Sequence, residues 1–350
     1  MSKIFYKALG REEVWPEISG ANPCEITFDD VLLVPQPNTE VASRVLPDIS
    51  VKLGPYLLQK PIIVAPMDTI CGERMIRLMD KLGGIGTLPR GELKTNLEIC
   101  KRLTKEKIKA VYAIGLRDFL NQAKLFKRAG AKVVLLDVAH GGMKKVVEAA
   151  KEVQEKLKLT VITGNIASFS QAEVYKKAGL KIARVGVGPG GLCITRLVAG
   201  TGMPQLAAVL DTVESGLQVI ADGGIRKPAD MTKALAAGAS LVMIGSLLAG
   251  TEETPGEVIG GKKKARGQAS ADYMKDNGVK LGEFRAAEGV YTMVEVKGSA
   301  EHVINDLAAG LRSAMSYVGA NNLKEFRDKS KFVLVSKATI RENQAHLLWE

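Results

Sequence analysis

The sequence is poor in the residues that build stapled folds and metal centres. Among 350 residues there are only four cysteines and three histidines, and aromatic side chains make up 5%. Cys24, Cys71, Cys100 and Cys193 are too scattered for a disulfide framework or a cysteine-rich zinc site. His140, His302 and His346 lack ligand spacing as well. No run of about 18 apolar residues occurs, which argues against a spanning helix. The N-terminus, MSKIFYKALGREEVWPEIS, has charges where an export signal needs an apolar centre, so a cytoplasmic protein is expected. Gly186 to Gly191, GVGPGG, spells GxGxxG after a strand, but it runs on into Leu192 and Cys193 and not straight into a helical pattern, which argues against a Rossmann dinucleotide domain. Aromatic residues do not interleave with basic ones as in RNA-binding sheets, so neither a nucleic-acid nor a membrane partner is expected.

What is there is a globular composition, 46% hydrophobic and 25% charged, with 36 glycines. That is too apolar for a chain disordered over most of its length. The 49 basic and 38 acidic side chains leave a formal charge of +11. Much of the excess falls on Lys124, Lys127, Arg128, Lys144, Lys145, Lys151 and the run 262–264, and reads as solvated helix faces.

From about residue 60 onward, two kinds of segment alternate. Short apolar runs read as strands: Ile62–Ala65, Gly84–Leu88, Ala110–Ile114, Val133–Val138, Leu159–Thr163, Ile182–Val187, Gln218–Ala221 and Leu241–Ile244. Their hydrophobicity is nearly continuous, as expected of a sheet covered on both faces. Between them lie helical patterns of about 10 to 17 residues, and a last one spans Val303–Val318. Gly130, Gly179 and Gly238 fall where a helix ends in a left-handed residue before the next strand, and Pro228 falls where a helix opens. Eight strand–helix units with short joints predict an α/β fold, a (β/α)8 TIM barrel, over an open doubly wound sheet. A single barrel domain over residues 1–350 is expected. Residues 1–60 form an N-terminal extension, and 249–302 a long Gly- and Lys-rich flap after the eighth strand, for which mobility is expected.

In such barrels the chemistry lies in the loops after the strands. After strand six, GVGPGGLCITR (Gly186 to Arg196) surrounds Cys193 with glycines, so the backbone can turn tightly and a thiol there can attack an electrophilic carbon. A lone cysteine in a turn is more often inert; glycine density and post-strand placement favour the nucleophile. After strands seven and eight, Gly223, Gly224, Gly245 and Ser246 offer unhindered backbone to a phosphate, and Asp222 suits a ribose diol, although such glycines also serve ordinary turns. Asp137, Val138, Ala139 and His140 come at the tip of strand four, Gly164 and Asn165 follow strand five, and Met67 follows strand one, where its thioether could face a flat ring. A strand-tip Asp often only caps a helix, and nothing pairs His140 as a base. In the flap, Arg266-Gly267-Gln268-Ala269-Ser270 and Arg285-Ala286-Ala287-Glu288-Gly289 stand out; a Glu on a closing lid could move a proton once water is excluded.

These residues resemble the IMP dehydrogenase and GMP reductase family, from ITFDDVLLVPQ at Ile26 to near Leu348. The GVGPGGLCITR loop, the Asp222-Gly223-Gly224 tip, GSLLAGTEETPG from Gly245 and GLRSAMSYVGA from Gly310 carry the resemblance. It implies a barrel assembled as a tetramer or octamer. The dehydrogenases usually insert paired CBS regulatory domains after the second barrel unit; here Arg90 is followed by one short helix pattern. They also carry an Arg-Tyr pair in the flap, and Asp272 to Phe284 has none, running instead into EFRAAEG, which is similar to the reductases. LVAGTGMPQ and GSLLAGTEETPG are closer to the dehydrogenases. Gly191 stands where the family usually has Ser, and Ala265 and Gln268 where it usually has Tyr and Met.

The resemblance implies a GMP reductase, taking GMP and NADPH to IMP and ammonia through a Cys193 thioimidate, with Thr195 and Glu288 relaying a proton. Asp222, Gly223, Gly224, Gly245 and Ser246 would hold ribose and phosphate, while Met67, Gln268, Ala269, Ser270, Arg285 and Gly289 would frame the base. Arg90, Asp137, Val138, Ala139, Asn165, Gly186 and Gly188 would lie on the dinucleotide side. Gly188, Gly190, Cys193 and Arg196 would form a monovalent-cation site for K+. The alternatives are a compact IMP dehydrogenase using NAD and a purine-nucleotide-binding regulatory protein without turnover.

Overall fold

The computed structural model describes residues 26–336 and 339–342. Cys24, His346 and the end of the family resemblance near Leu348 lie outside the described residues. Eight parallel strands close into a barrel: β1 (Ile62–Val64), β2 (Ile85–Leu88), β3 (Ala110–Ile114), β4 (Val133–Asp137), β5 (Thr160–Ile166), β6 (Ile182–Val185), β7 (Gln218–Asp222) and β8 (Leu241–Ile244), with β8 pairing back onto β1. The helices that follow are α1 (Glu73–Lys81), α2 (Leu93–Lys105), α3 (Phe119–Arg128), α4 (Lys144–Leu157), α5 (Phe169–Lys177), α6 (Gln205–Val213), α7 (Pro228–Ala236) and α8 (Ala300–Val318). The expected (β/α)8 barrel is therefore present.

Strand periodicity explains the continuous apolar runs. Ile62 and Val64 pack outward among the helices, whereas Ile63 and Ala65 join Ile85, Val111, Leu135, Ile162, Ile220 and Met243 in a separate inner cluster. Leu53 and Leu58, from an antiparallel hairpin of 51–53 and 56–58, complete that inner cluster. Burying each such side chain contributes about 1.5–3 kcal/mol, so residues 51–58 of the extension plug the barrel and do not add a ninth unit. Its other strand, Val31–Leu33, pairs antiparallel with Phe332–Leu334. Gly130, Gly179 and Gly238 are left-handed as expected, and Pro228 opens α7.

Two expectations need correction. β5 runs on to Ile166, so Gly164 and Asn165 lie inside a strand, at an irregularity in its register with β6, and not in the following loop. Val138 and Val187 lie beyond the strand ends, at the barrel rim. The flap contains a regular antiparallel pair, Lys262–Arg266 with Tyr291–Glu295, and a short helix, Ala271–Asp276.

Candidate active site

At the mouth of the barrel a cavity of about 200 Å³ is lined by Met67, the loop 190–193, the tips 222–225 and 243–246, and the flap segments 267–269 and 288–289, with Arg184 among the lining residues. The Cys193 loop is shaped by its backbone. Gly186 has φ +149, and a Cβ on it would stand 2.1 Å from the Asp222 carbonyl, so only glycine lets the chain leave β6 this close to β7. The Cys193 N–H then donates to the Gly190 carbonyl at 3.0 Å.

The flap is registered on this loop by main-chain bonds. The Ile194 N–H donates to the Glu288 carbonyl at 2.8 Å, and the Val290 N–H to the Leu192 carbonyl at 3.0 Å. On its other side the Glu288 N–H donates to the Ala269 carbonyl at 3.0 Å. Segments distant in sequence thus bring Cys193, Glu288 and Gln268 to one cavity. Thr195 Oγ1 lies 3.1 Å from Cys193 Sγ, within hydrogen-bond reach. Cys193 is half-buried, whereas burial pushes the Cys71 thiol up to about 12 and raises Cys100 as well. Of the described cysteines, Cys193 is the one placed to react.

The floor holds a charged chain whose central member, Arg184, sequence reasoning did not single out. Arg184, on β6, donates from Nε to Asp222 Oδ2 at 2.8 Å and from Nη1 to Asp137 Oδ1 at 2.9 Å. Arg90 Nε reaches Asp137 Oδ2 at 3.0 Å, and Asn165 Nδ2 reaches Asp222 Oδ2 at 2.7 Å and the Gly186 carbonyl at 2.8 Å. Burial works against the Arg184 charge, but Asp222 and Asp137 outweigh it, and its pKa is raised. The available signal was a charge inside an otherwise apolar strand, Ile182–Val185.

The remaining expected residues divide clearly. Met67, Gly223, Gly224, Gly245, Ser246, Gln268, Ala269 and Gly289 all line the cavity. Gln268 Nε2 is buried with no hydrogen-bond partner among the described residues, a donor left for a ligand. Ser270 is buried, but its hydroxyl accepts the Tyr273 N–H at 3.2 Å and caps the short flap helix. Arg285 is exposed and is not among the cavity-lining residues, and neither is the exposed His140. Arg90, Asp137, Val138, Ala139, Gly186 and Gly188 are not among the cavity-lining residues, although Arg90, Asp137 and the Gly186 carbonyl join the charged chain beneath it. Arg196 Nη2 donates to the Met203 carbonyl at 2.5 Å, and its stem packs against Gly188. A guanidinium has no acceptor, so Arg196 could offer a cation only its backbone carbonyl.

A second charged group ties the flap to the first barrel loop. Arg266 donates to Asp68 Oδ2 and to Asp272 Oδ2, and its N–H donates to Thr69 Oγ1 at 3.1 Å. Among the described residues no cluster of three or more His, Cys, Asp or Glu could hold a metal ion, and no helix is long and apolar enough to cross a membrane.

Comparison with known proteins agrees with this geometry. Residues 25–346 match the IMP dehydrogenase / GMP reductase domain. The chain is 34% identical over 381 residues to an inosine-5'-monophosphate dehydrogenase of Cryptosporidium parvum, covering 92% of this chain and 94% of that protein. It is 41% identical over 246 residues to that of Thermoplasma acidophilum, covering 67% of the chain and 50% of the relative. It is 40% identical over 263 residues to that of Aquifex aeolicus, covering 71% and 54%. The chain thus spans nearly the whole Cryptosporidium relative but about half the length of the other two.

Proposed function

Because the chain belongs to the IMP dehydrogenase / GMP reductase family, an oxidoreductase family, we propose that it is a compact IMP dehydrogenase, oxidising C2 of IMP with NAD to give XMP. The observation that carries this reading is the backbone registration that gathers Cys193, Thr195 and Glu288 at one enclosed mouth. The oxidative direction is supported by the relatives, each named a dehydrogenase, one of them matched over 94% of its length. A single helix, α2, joins β2 to β3, which supports a compact barrel without a CBS pair at that joint.

In this reading the Cys193 thiolate adds to C2 of IMP, and the hydride on C2 leaves for the nicotinamide, so the base is held on sulfur as a thioimidate. Water then adds at C2. Thr195 passes the water's proton to the Glu288 carboxylate, the C2–S bond breaks, and XMP leaves as the sulfur recovers its electron pair. The balance is IMP, NAD+ and water giving XMP, NADH and a proton. Covalent capture divides one hard substitution into easier steps, and the proton relay contributes about 10²–10⁴-fold. Gly223, Gly224, Gly245 and Ser246 would take the phosphate, Asp222 the ribose, and Met67 and Gln268 the base. The dinucleotide would lie over the rim at Arg90, Asp137, Val138, Ala139 and Asn165. The carbonyls of Gly188, Gly190 and Cys193 are uncharged hard donors suited to K+, which would stiffen the catalytic loop.

A second reading, GMP reductase with NADPH, is favoured by the flap: Asp272 to Phe284 has no adjacent Arg-Tyr pair and leads into EFRAAEG. The same groups would serve it. The thiolate adds to C2 of GMP, Glu288 through Thr195 protonates the amine, ammonia leaves, and hydride from NADPH enters C2 before the C2–S bond breaks to release IMP. Exposed apolar side chains on and beside the flap, Leu197, Phe284, Tyr291 and Met293, support a homo-oligomer such as a tetramer or octamer. Soluble nucleotide substrates support a cytoplasmic setting. Parallel assays decide: XMP and NADH from IMP and NAD support the first reading, while ammonia and NADPH loss from GMP support the second. Thermal stabilisation by either nucleotide with no turnover leaves a binding protein.

A further inference from the structure

Lys263 belongs to the flap strand Lys262–Arg266, yet it is only 6% exposed. Its ammonium donates to the main-chain carbonyls of Thr254 at 2.8 Å, Thr251 at 3.0 Å and Glu252 at 3.2 Å, with the Thr254 hydroxyl at 3.4 Å. Three carbonyls converge because residues 248–254 wind through successive turns. Thr251 N–H and hydroxyl both donate to the Leu248 carbonyl, at 3.1 and 2.8 Å, and the Thr254 hydroxyl donates to the Thr251 carbonyl at 2.7 Å. Leu248 closes the short turn Ser246–Leu248 that begins at the expected phosphate site. Uncharged oxygens at these distances, in a buried setting, make the kind of cage that holds a monovalent cation.

We propose that Lys263 is a positioning residue that acts as a tethered monovalent cation, filling this cage so that the loop behind Gly245 and Ser246 and the flap strand move as one body. The strand leads directly to Gly267 and Gln268, and it pairs with Tyr291–Glu295, which continues from Glu288. Gly267 N–H also donates to the Val290 carbonyl at 3.0 Å. The ammonium therefore connects the nucleotide end of the cavity to the flap residues facing it. A second lysine strengthens the same joint: Lys297 Nζ donates to the Leu247 carbonyl at 2.7 Å and its N–H to the Gly250 carbonyl at 2.9 Å. Within the barrel the cage touches neither Cys193 nor Glu288, so its effect reaches them only through the strands.

The kinetic part of this proposal rests on the nucleotide reading of the cavity; the structural part does not. Lys263→Ala and the volume-preserving Lys263→Met are compared with the unaltered chain at constant potassium. Amide hydrogen exchange should quicken by at least about tenfold in 262–266 and 291–295 while Ala110–Ile114 stays protected. The nucleotide kcat/KM should fall by at least about tenfold, and ethylammonium, but not choline, should restore both turnover and protection in Lys263→Ala. Unchanged exchange in either variant, loss that ethylammonium does not reverse, or failure of both variants to fold would each overturn the proposal. If no form turns over IMP or GMP, the functional reading fails while the exchange and its rescue still decide this one.

Discussion

The carbonyl of Glu288 accepts the Ile194 N–H at 2.8 Å, so the acid of the flap and the thiol of the loop are held in register by the main chain and not by their side chains. Glu288→Gln keeps that bond and removes only the ionisable oxygen. Turnover should fall by about 10²–10⁴-fold, the usual worth of a positioned proton carrier. The rate at which iodoacetamide alkylates Cys193 should stay within about twofold, since the loop geometry is untouched. A parallel loss of alkylation would mean that the substitution had displaced the loop instead.

The contact between Cys193 Sγ and Thr195 Oγ1 at 3.1 Å gives a second test. Cys193→Ala should abolish turnover while IMP or GMP still raises the melting temperature, because most of the cavity lining remains. Thr195→Val, which keeps the shape and removes the hydroxyl, should lower kcat by about 10²-fold with little change in nucleotide KM. Retained turnover in Cys193→Ala would refute the covalent route.

The barrel was legible in the sequence because both faces of each strand are buried: Ile62 and Val64 outward, Ile63 and Ala65 inward, leave an unbroken apolar run. The helix ends were legible because Gly130, Gly179 and Gly238 need left-handed backbone. Local spacing says nothing, however, about which side chains meet across the mouth. Arg184 was hidden inside a strand, and its value comes from Asp137 and Asp222 on two other strands. Asn165 was expected after the strand because the apolar run reads as ending at Thr163; here β5 carries it on to Asp222. Arg285 and Ser270 were expected at the base from the resemblance, but one is exposed and the other spends its hydroxyl on a helix cap.

Arg184 is the floor's least replaceable charge. Arg184→Met would leave the buried Asp137 and the partly buried Asp222 without their shared partner, and breaking a buried pair costs about 3–5 kcal/mol. A marked drop in melting temperature is expected. Arg184→Lys should be only partly better, since its donors sit on one compact nitrogen and lack the planar fork by which Nε and Nη1 reach two different carboxylates. A stability for Arg184→Met within about 1 kcal/mol of the unaltered chain would contradict this account.

Gly191 offers a gain-of-contact test. A Cβ there would lie 3.2 Å from Ser246 Cβ and Oγ, tight enough that Ser246 must give slightly but without meeting any backbone. Gly191→Ser places a second hydroxyl beside Ser246 at the expected phosphate site. A hydrogen bond gained there is worth about 0.5–1.5 kcal/mol, so nucleotide KM should fall by about two- to tenfold with kcat nearly constant. A raised KM would show that Ser246 cannot yield.

Acid stability should report on Asp29. Arg226 donates to both of its oxygens, at 2.8 and 2.9 Å, which ties the N-terminal turn Phe28–Asp30 to the segment just beyond Gly224. That hydrogen bonding lowers the Asp29 pKa from 3.8 to about 2. A depressed carboxylate stabilises the fold fully above its unfolded pKa and loses that contribution as pH falls through the folded one. The Asp29 side chain is 37% exposed, so solvent screening reduces the gain to about 1 kcal/mol. Asp29→Asn should therefore be less stable than the parent by about that amount at pH 7 in urea titrations. The gap should narrow from about pH 4, shrink to a small remainder near pH 2, where the folded acid is half protonated, and vanish only below that. A gap that persists unchanged to pH 2 would assign the difference to the packing of the turn and not to the ion pair.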